Sequence, residues 1–246
     1  MKILILAAGY GTRLYPLITD TPKPLLEVAG RPLIDHLLAR LEGVSGIKEI
    51  LVVTNDKFQA HFTAWAKKLK APAPVTVIND GTTSPENRLG SVGDIRFVLD
   101  NFPVKDDLLV LGGDNLFDFS LKGYYDFARQ KAPRVTIGLY DIGEKKEATQ
   151  FGVVAIDGKG KVVSFEEKPQ SPQSSLIAMC CYYFPQATLG YVAEYMAQTK
   201  KADKAGDYIR WLSEKKEVYG FKFQGKWYDI GSLESYQEAQ TKFSRP

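Results

Sequence analysis

A chain of 246 residues, 44% hydrophobic and 25% charged, is long enough to bury one substantial α/β core or a core with a modest lid. A net charge of +3, with no extended stripe of Lys and Arg, argues against a nucleic-acid partner. No signal peptide opens the chain and no apolar run reaches membrane-spanning length, so no membrane partner is expected.

Met1 to Ala8 is an apolar run that reads as a buried strand. Leu33, Leu37, Leu38 and Leu41 recur at helical spacing after Pro32, and Glu49 to Thr54 reads as a strand. Phe58, Phe62, Trp65 and Leu69 form a helical stripe better suited to a core than to an aromatic binding box; Lys67, Lys68 and Lys70 read as its solvated face. Val75 to Ile78 is a strand, Ile95, Val98 and Leu99 suggest a helix, and Leu108 to Leu111 is a strand too apolar for a one-sided sheet. Strands and helices alternating in this way imply a mainly parallel sheet covered on both faces.

The second half changes character. Val135 to Tyr140, Val153 to Ile156, Val162 to Phe165 and Leu176 to Phe184 are strand-like, with turn chemistry at Asp157-Gly158-Lys159-Gly160. Helical patterns return at Leu189 to Gln198 and Tyr208 to Lys215. Strands near Val218 to Phe223 and Trp227 to Ile230 precede a last helix from Ser232. The expected fold class is α/β: one mixed, mainly parallel sheet carrying a β-rich substrate-binding insertion. Cys180 and Cys181 are neighbours in a strand and face opposite ways, so a disulfide between them is not expected; they read as small buried residues of a reduced, cytoplasmic protein. His36 and His61 lie in separate helical patterns without metal-ligand spacing.

The chemistry gathers where the first strand ends. It empties into Gly9-Tyr10-Gly11-Thr12-Arg13, followed by Pro22-Lys23-Pro24. Glycines let backbone N–H groups approach anionic oxygens while Arg13 and Lys23 supply countercharge, a combination suited to polyphosphate. The spacing excludes a P-loop, and Leu14 stands where a dinucleotide fingerprint needs its third glycine. Taken alone, Gly9-x-Gly11 also fits a tight strand-to-helix turn. Gly112-Gly113-Asp114-Asn115 follows an apolar strand, either as a turn or cap or to aim a carboxylate into the crevice beyond the sheet. Phe165-Glu166-Glu167-Lys168-Pro169, by itself, is a strand ending in solvated charges at a proline.

Together these segments carry more. Leu6-Ala7-Ala8-Gly9-Tyr10-Gly11-Thr12-Arg13-Leu14-Tyr15-Pro16-Leu17, then Pro22-Lys23-Pro24-Leu25, resembles the signature of the sugar nucleotidyltransferase family, with Ile18 where that signature usually has Thr. Members of this family join a nucleoside triphosphate to a sugar 1-phosphate. The resemblance implies a Rossmann-like three-layer architecture in a single domain, 1–246, with a nucleotide-binding half (1–112) and a sugar-phosphate-binding half (113–246). It implies Mg²⁺ held by Asp114 and by Asp229 of Trp227-Tyr228-Asp229-Ile230-Gly231. It also implies a Glu-Lys-Pro element in which Lys168 grips the sugar phosphate and Glu167 bonds sugar hydroxyls, with Gly152 of Phe151-Gly152-Val153 touching the sugar through its backbone.

Arg13 and Lys23 would then neutralise the triphosphate, with Leu6, Ala7, Ala8, Gly9, Gly11 and Thr12 around the nucleotide. Leu89-Gly90-Ser91-Val92-Gly93-Asp94 resembles the family's base- and ribose-contacting stretch, assigning Gly90, Asp94 and the preceding Asn79 to the nucleotide. Asp94 is acidic where relatives usually have a small residue; it could cap a helix, contact the ribose or be solvated. The base and the sugar stay open. Two other readings share the opening motif: a cytidylyltransferase for phosphocholine or inositol phosphate, and a catalytically silent sugar-nucleotide-binding regulator. A monomer or homodimer with one activity is expected.

Overall fold

The computed structural model describes residues 1–14, 20–199 and 204–243. Tyr15, Pro16, Leu17 and Ile18 of the opening signature lie outside the described residues, as does the side chain of Arg13. In chain order the elements are β1 (Lys2–Leu6), β2 (Glu27–Val28), β3 (Arg31–Pro32), α1 (Leu33–Ala39), β4 (Glu49–Thr54), α2 (Gln59–Lys68), β5 (Val75–Asn79), α3 (Gly90–Asn101), β6 (Leu108–Gly112) and β7 (Asn115–Phe117). They continue with α4 (Lys122–Lys131), β8 (Val135–Asp141), β9 (Gly152–Ile156), β10 (Val162–Glu167), β11 (Leu176–Phe184), α5 (Tyr191–Gln198), α6 (Ala205–Lys215), β12 (Val218–Lys222), β13 (Trp227–Asp229) and α7 (Leu233–Lys242).

The chain divides into two compact units, the first made of residues 1–89, 111–122 and 225–246, the second of 90–110 and 123–224. In the first, β4 lies between β1 and β5 and pairs with both in parallel, Lys2 to Leu6 against Glu49 to Val53 and Ile50 to Thr54 against Val75 to Asn79. Ile3, Leu4, Ile5, Ile50, Leu51, Val52 and Val53 are fully buried, as expected of parallel strands covered on both faces. Because the strands run one way, Leu6, Thr54 and Asn79 all end at one edge, and the loops that follow emerge there. Asn55 ties two of them together: its Nδ2 donates to the Ala8 carbonyl at 2.9 Å, while its Oδ1 accepts from the Phe58 N–H. A separate cluster packs α7 through Ala239 and Phe243 against Leu14, Leu26, Leu116 and Ile230.

In the second unit β8 lies between β11, antiparallel, and β12, parallel; β11 also pairs with β9, and β9 with β10. The β9–β10 connection is the expected turn, with Asp157 Oδ1 accepting from the N–H groups of Lys159 and Lys161 and Gly160 at φ +80°. Helix α4 has no counterpart in the sequence reading. Its buried residues are Tyr124, Tyr125 and Ala128 rather than a Leu or Ile stripe, and the Tyr124 hydroxyl donates to the Thr136 carbonyl at 2.8 Å. Cys181 is buried and Cys180 half-buried, and neither forms a disulfide. His36 is buried with Nε2 2.8 Å from the Val28 carbonyl, and burial lowers its pKa; His61 is exposed on α2. No helix among the described residues is long and apolar enough to cross a membrane.

Candidate active site

In the first unit the loop after β1 is pinned from below. Gly113 N–H donates to the Leu6 carbonyl at 3.0 Å. A Cβ at Gly113 would lie 3.0 Å from that oxygen, 3.0 Å from Pro24 Cγ and 3.3 Å from Ile5 Cγ2, so this close approach requires glycine. The contact brings three sequence segments together: the end of β1, the Lys23–Leu25 turn and the Gly113-Asp114 step. At their junction Lys23 Nζ donates to Asp114 Oδ2 at 2.7 Å. Gly9 has open space where a side chain would be, and Gly11 takes φ +58°, as a loop with exposed backbone requires.

The second candidate carboxylate arrives on β13. This strand pairs antiparallel with β7 and sets Asp229 directly opposite Asn115, the neighbour of Asp114. Opposed antiparallel residues have Cα atoms about 4.5–5.5 Å apart and consecutive ones about 3.8 Å, which holds the Asp114 and Asp229 Cα atoms within about 9 Å. The pairing is locked by Trp227 Nε1, which donates to Asn115 Oδ1 at 2.7 Å, and by the capping box of Ser232 and Ser235 that starts α7 just beyond. Asn115 stands in the Gly-Gly-Asp-Asn motif with no role of its own legible there; that role depends on Trp227, 112 residues away.

Asn79 ends β5 with its side chain fully engaged. Its Nδ2 donates to Asp56 Oδ1 and Gln59 Oε1, and its Oδ1 accepts from the Gly81 N–H. The next residue, Asp80, is buried, and its Oδ1 takes the Thr82 N–H at 2.7 Å and hydroxyl at 2.8 Å. The Tyr10 hydroxyl of the glycine loop donates to Thr82 Oγ1 at 3.3 Å. Burial, with Asp80 adding to it, raises the Tyr10 pKa and keeps this hydroxyl a neutral donor.

The remaining residues belong to the second unit. Gly90 opens α3 with φ +76°. Asp94 is buried in the second turn of that helix, past the position of a cap. Glu167 ends β10 directly opposite Gly152, the first residue of β9. Burial raises the Glu167 pKa, with Asp207 adding and Lys168, Lys204 and Arg210 opposing. Lys168 is exposed at φ +49°, a left-handed conformation held by its N–H bond to the Phe151 carbonyl at 3.0 Å. A non-glycine residue there costs about 1–2 kcal/mol, a strain typical of functional positions.

The nucleotidyl transferase family model matches residues 2–245. A glucose-1-phosphate adenylyltransferase of Thermosipho africanus (strain TCF52B) is 26% identical over 260 residues, covering 99% of this chain and 61% of the relative. The mannose-1-phosphate guanylyltransferase catalytic subunit beta of Drosophila pseudoobscura pseudoobscura is 30% identical over 238 residues, covering 96% and 60%. A crystal structure of a Bacillus anthracis protein described as a glucose-1-phosphate thymidylyltransferase superposes with a TM-score of 0.81 at 24% identity, covering 98% of this chain and 94% of that one. That likeness speaks for the fold, a mixed, mainly parallel sheet with helices. The chain spans about half to three fifths of the length of the curated relatives it matches. With its family model matching all but the two terminal residues, the chain belongs to the nucleotidyl transferase family.

Proposed function

We propose that this protein transfers a nucleoside monophosphate from a nucleoside triphosphate to a sugar 1-phosphate, releasing pyrophosphate. The observation that carries the reading is the Lys23–Asp114 pair, next to the contact of Gly113 with the end of β1, with β13 setting Asp229 opposite the neighbouring Asn115. A phosphate oxygen of the sugar 1-phosphate attacks the α-phosphorus in line. The bond from that phosphorus to the oxygen bridging toward the β-phosphorus breaks, and pyrophosphate leaves with the electron pair. The attacking phosphate is ionised at neutral pH and needs no general base. The work left to the protein is to gather mutually repelling anions and stabilise the charge of the transition state.

Lys23, ordered by Asp114, is assigned to phosphate oxygens near the reacting phosphorus, and Arg13 to the departing pyrophosphate. Leu6, Ala7, Ala8, Gly9, Gly11 and Thr12 supply the backbone around the triphosphate. Asn79 is assigned to the nucleotide through the turn it holds, as are Gly90 and Asp94 of α3. Lys168 is assigned the sugar phosphate, and Glu167 and Gly152 the sugar. Mg²⁺ fits Asp114 and Asp229. A hard cation is commonly held by one or two carboxylates plus phosphate and water oxygens, and no cluster of three or more His, Cys, Asp or Glu among the described residues offers a softer or fully proteinaceous cage. When bound it supplies Lewis-acid neutralisation of the triphosphate oxygens. Two adjacent cysteines outside any disulfide suit a reducing compartment such as the cytoplasm.

The relatives named above are an adenylyl-, a guanylyl- and a thymidylyltransferase, so the base is left to experiment. The test is a matrix of the common ribo- and deoxyribonucleoside triphosphates against glucose, galactose, mannose and N-acetylglucosamine 1-phosphates, with phosphocholine and inositol phosphate as further acceptors. Pyrophosphate release that requires a sugar 1-phosphate supports the proposal. Release only with phosphocholine or inositol phosphate, or no release from any pair, overturns it.

A further inference from the structure

Gly206 stands second in α6, where glycine is a poorer helix former than alanine. Its backbone does not explain the choice, because its φ is not positive. What explains it is Glu167. A Cβ at Gly206 would occupy the same space as Glu167 Oε2 and Cδ and lie 3.1 Å from Oε1. Gly152 backs the same carboxylate from β9: a Cβ there would lie 3.3 Å from Oε2 and overlap the Phe165 ring. The carboxylate therefore sits between two positions that lack side chains, one on the sheet and one on the helix. The absence of a Cβ lets the first turn of α6, the positive end of its dipole, close onto a half-buried carboxylate whose pKa burial raises.

We infer that Gly206 is a positioning residue, whose missing side chain seats the Glu167 carboxylate against the first turn of α6 in the orientation that receives sugar hydroxyls. This rests on the sugar-binding role proposed for Glu167. The obstructing atoms are the end of a flexible side chain, so Gly206→Ala displaces the carboxylate rather than the fold. Alanine is also the better helix former.

The experiment compares wild type, Gly206→Ala, Glu167→Ala and the double variant by thermal unfolding and by steady-state kinetics. The substrates are the triphosphate and sugar 1-phosphate selected by the matrix. Gly206→Ala is expected to keep its Tm or raise it by about 2–4 °C, to raise KM for the sugar 1-phosphate about tenfold, and to leave KM for the triphosphate within about twofold. On the Glu167→Ala background the same substitution should add nothing to KM while keeping its effect on Tm. If Glu167→Ala raises the sugar-phosphate KM and Gly206→Ala does not, the inference fails and the role of Glu167 stands. If Glu167→Ala leaves that KM unchanged, the role of Glu167 fails and the inference with it. If Gly206→Ala unfolds the protein, a double variant that folds supports the seat, and one that does not overturns it.

Discussion

Replacing Lys23 by Met separates a residue that holds Asp114 from one that also acts on phosphate. The Lys23 side chain is 14% exposed and that of Asp114 40% exposed, with 2.7 Å between Nζ and Oδ2. Unit charges about 4 Å apart at an effective dielectric of about 20 attract by about 4 kcal/mol before desolvation. A hydrogen bond between charged groups nets about 1.5–3 kcal/mol. Asp114 can rehydrate when its partner goes, and solvent screens the pair, so the stability loss discounts to about 1–2 kcal/mol. A cation stabilising charge that develops in a transition state is worth about 10²–10³ in rate, or about 2.7–4 kcal/mol. Urea unfolding of Lys23→Met should therefore show the smaller loss with an unchanged m-value, and saturating pyrophosphate-release assays on the folded protein should show the larger one. A rate loss under about tenfold alongside the full stability loss would reduce Lys23 to a structural partner and refute the reasoning.

Gly113→Ala forces a Cβ against a backbone carbonyl and two packed side chains, none of them a free-swinging end, and should cost about 1–3 kcal/mol by chemical denaturation. Lys168→Ala and Lys168→Gly should both lose about 10²–10³ in rate, while the glycine variant is the more stable by about 1 kcal/mol because it relieves the left-handed strain; equal stability would show that the strain is absent. Lys222, the Ser175 hydroxyl and the Gly143 N–H hold the Asp141 pKa down at about 2, so the stability it lends is complete above the unfolded value near 3.8 and is lost as pH falls toward 2. Asp141→Asn should flatten the acid limb of a Tm–pH profile over that window, and an unaltered limb would contradict the assignment.

The strands were legible because their signal is local. Glu49–Thr54 and Leu176–Phe184 are continuous runs rich in apolar and β-branched or aromatic residues with polar or turn residues at their ends, and the structure keeps those bounds. Helix α4 was not, since two tyrosines and an alanine carry its buried face within a stretch that reads as polar. Strand β7 has three residues and exists because β13 pairs with it more than a hundred positions later, a partnership no window sees. Motif singles out Lys23, Asp114, Glu167, Lys168 and Asp229 as candidates, but says nothing of their geometry. Lys23 and Asp114 are 91 residues apart, and nothing in either segment announces the ion pair. Gly206 illustrates the limit: a glycine near a helix start looks like any loop residue until the Glu167 carboxylate is seen filling the place of its side chain.

The proposed function requires Asp114 and Asp229 to form one cation-dependent phosphate centre. Calorimetric titration of the preferred triphosphate, with no acceptor present, measures this directly in wild type, Asp114→Asn and Asp229→Asn, each with and without Mg²⁺. Mg²⁺ should tighten binding at least about tenfold in wild type, about 1.4 kcal/mol, and either substitution should abolish the gain. An equal Mg²⁺ gain in all three proteins would contradict it.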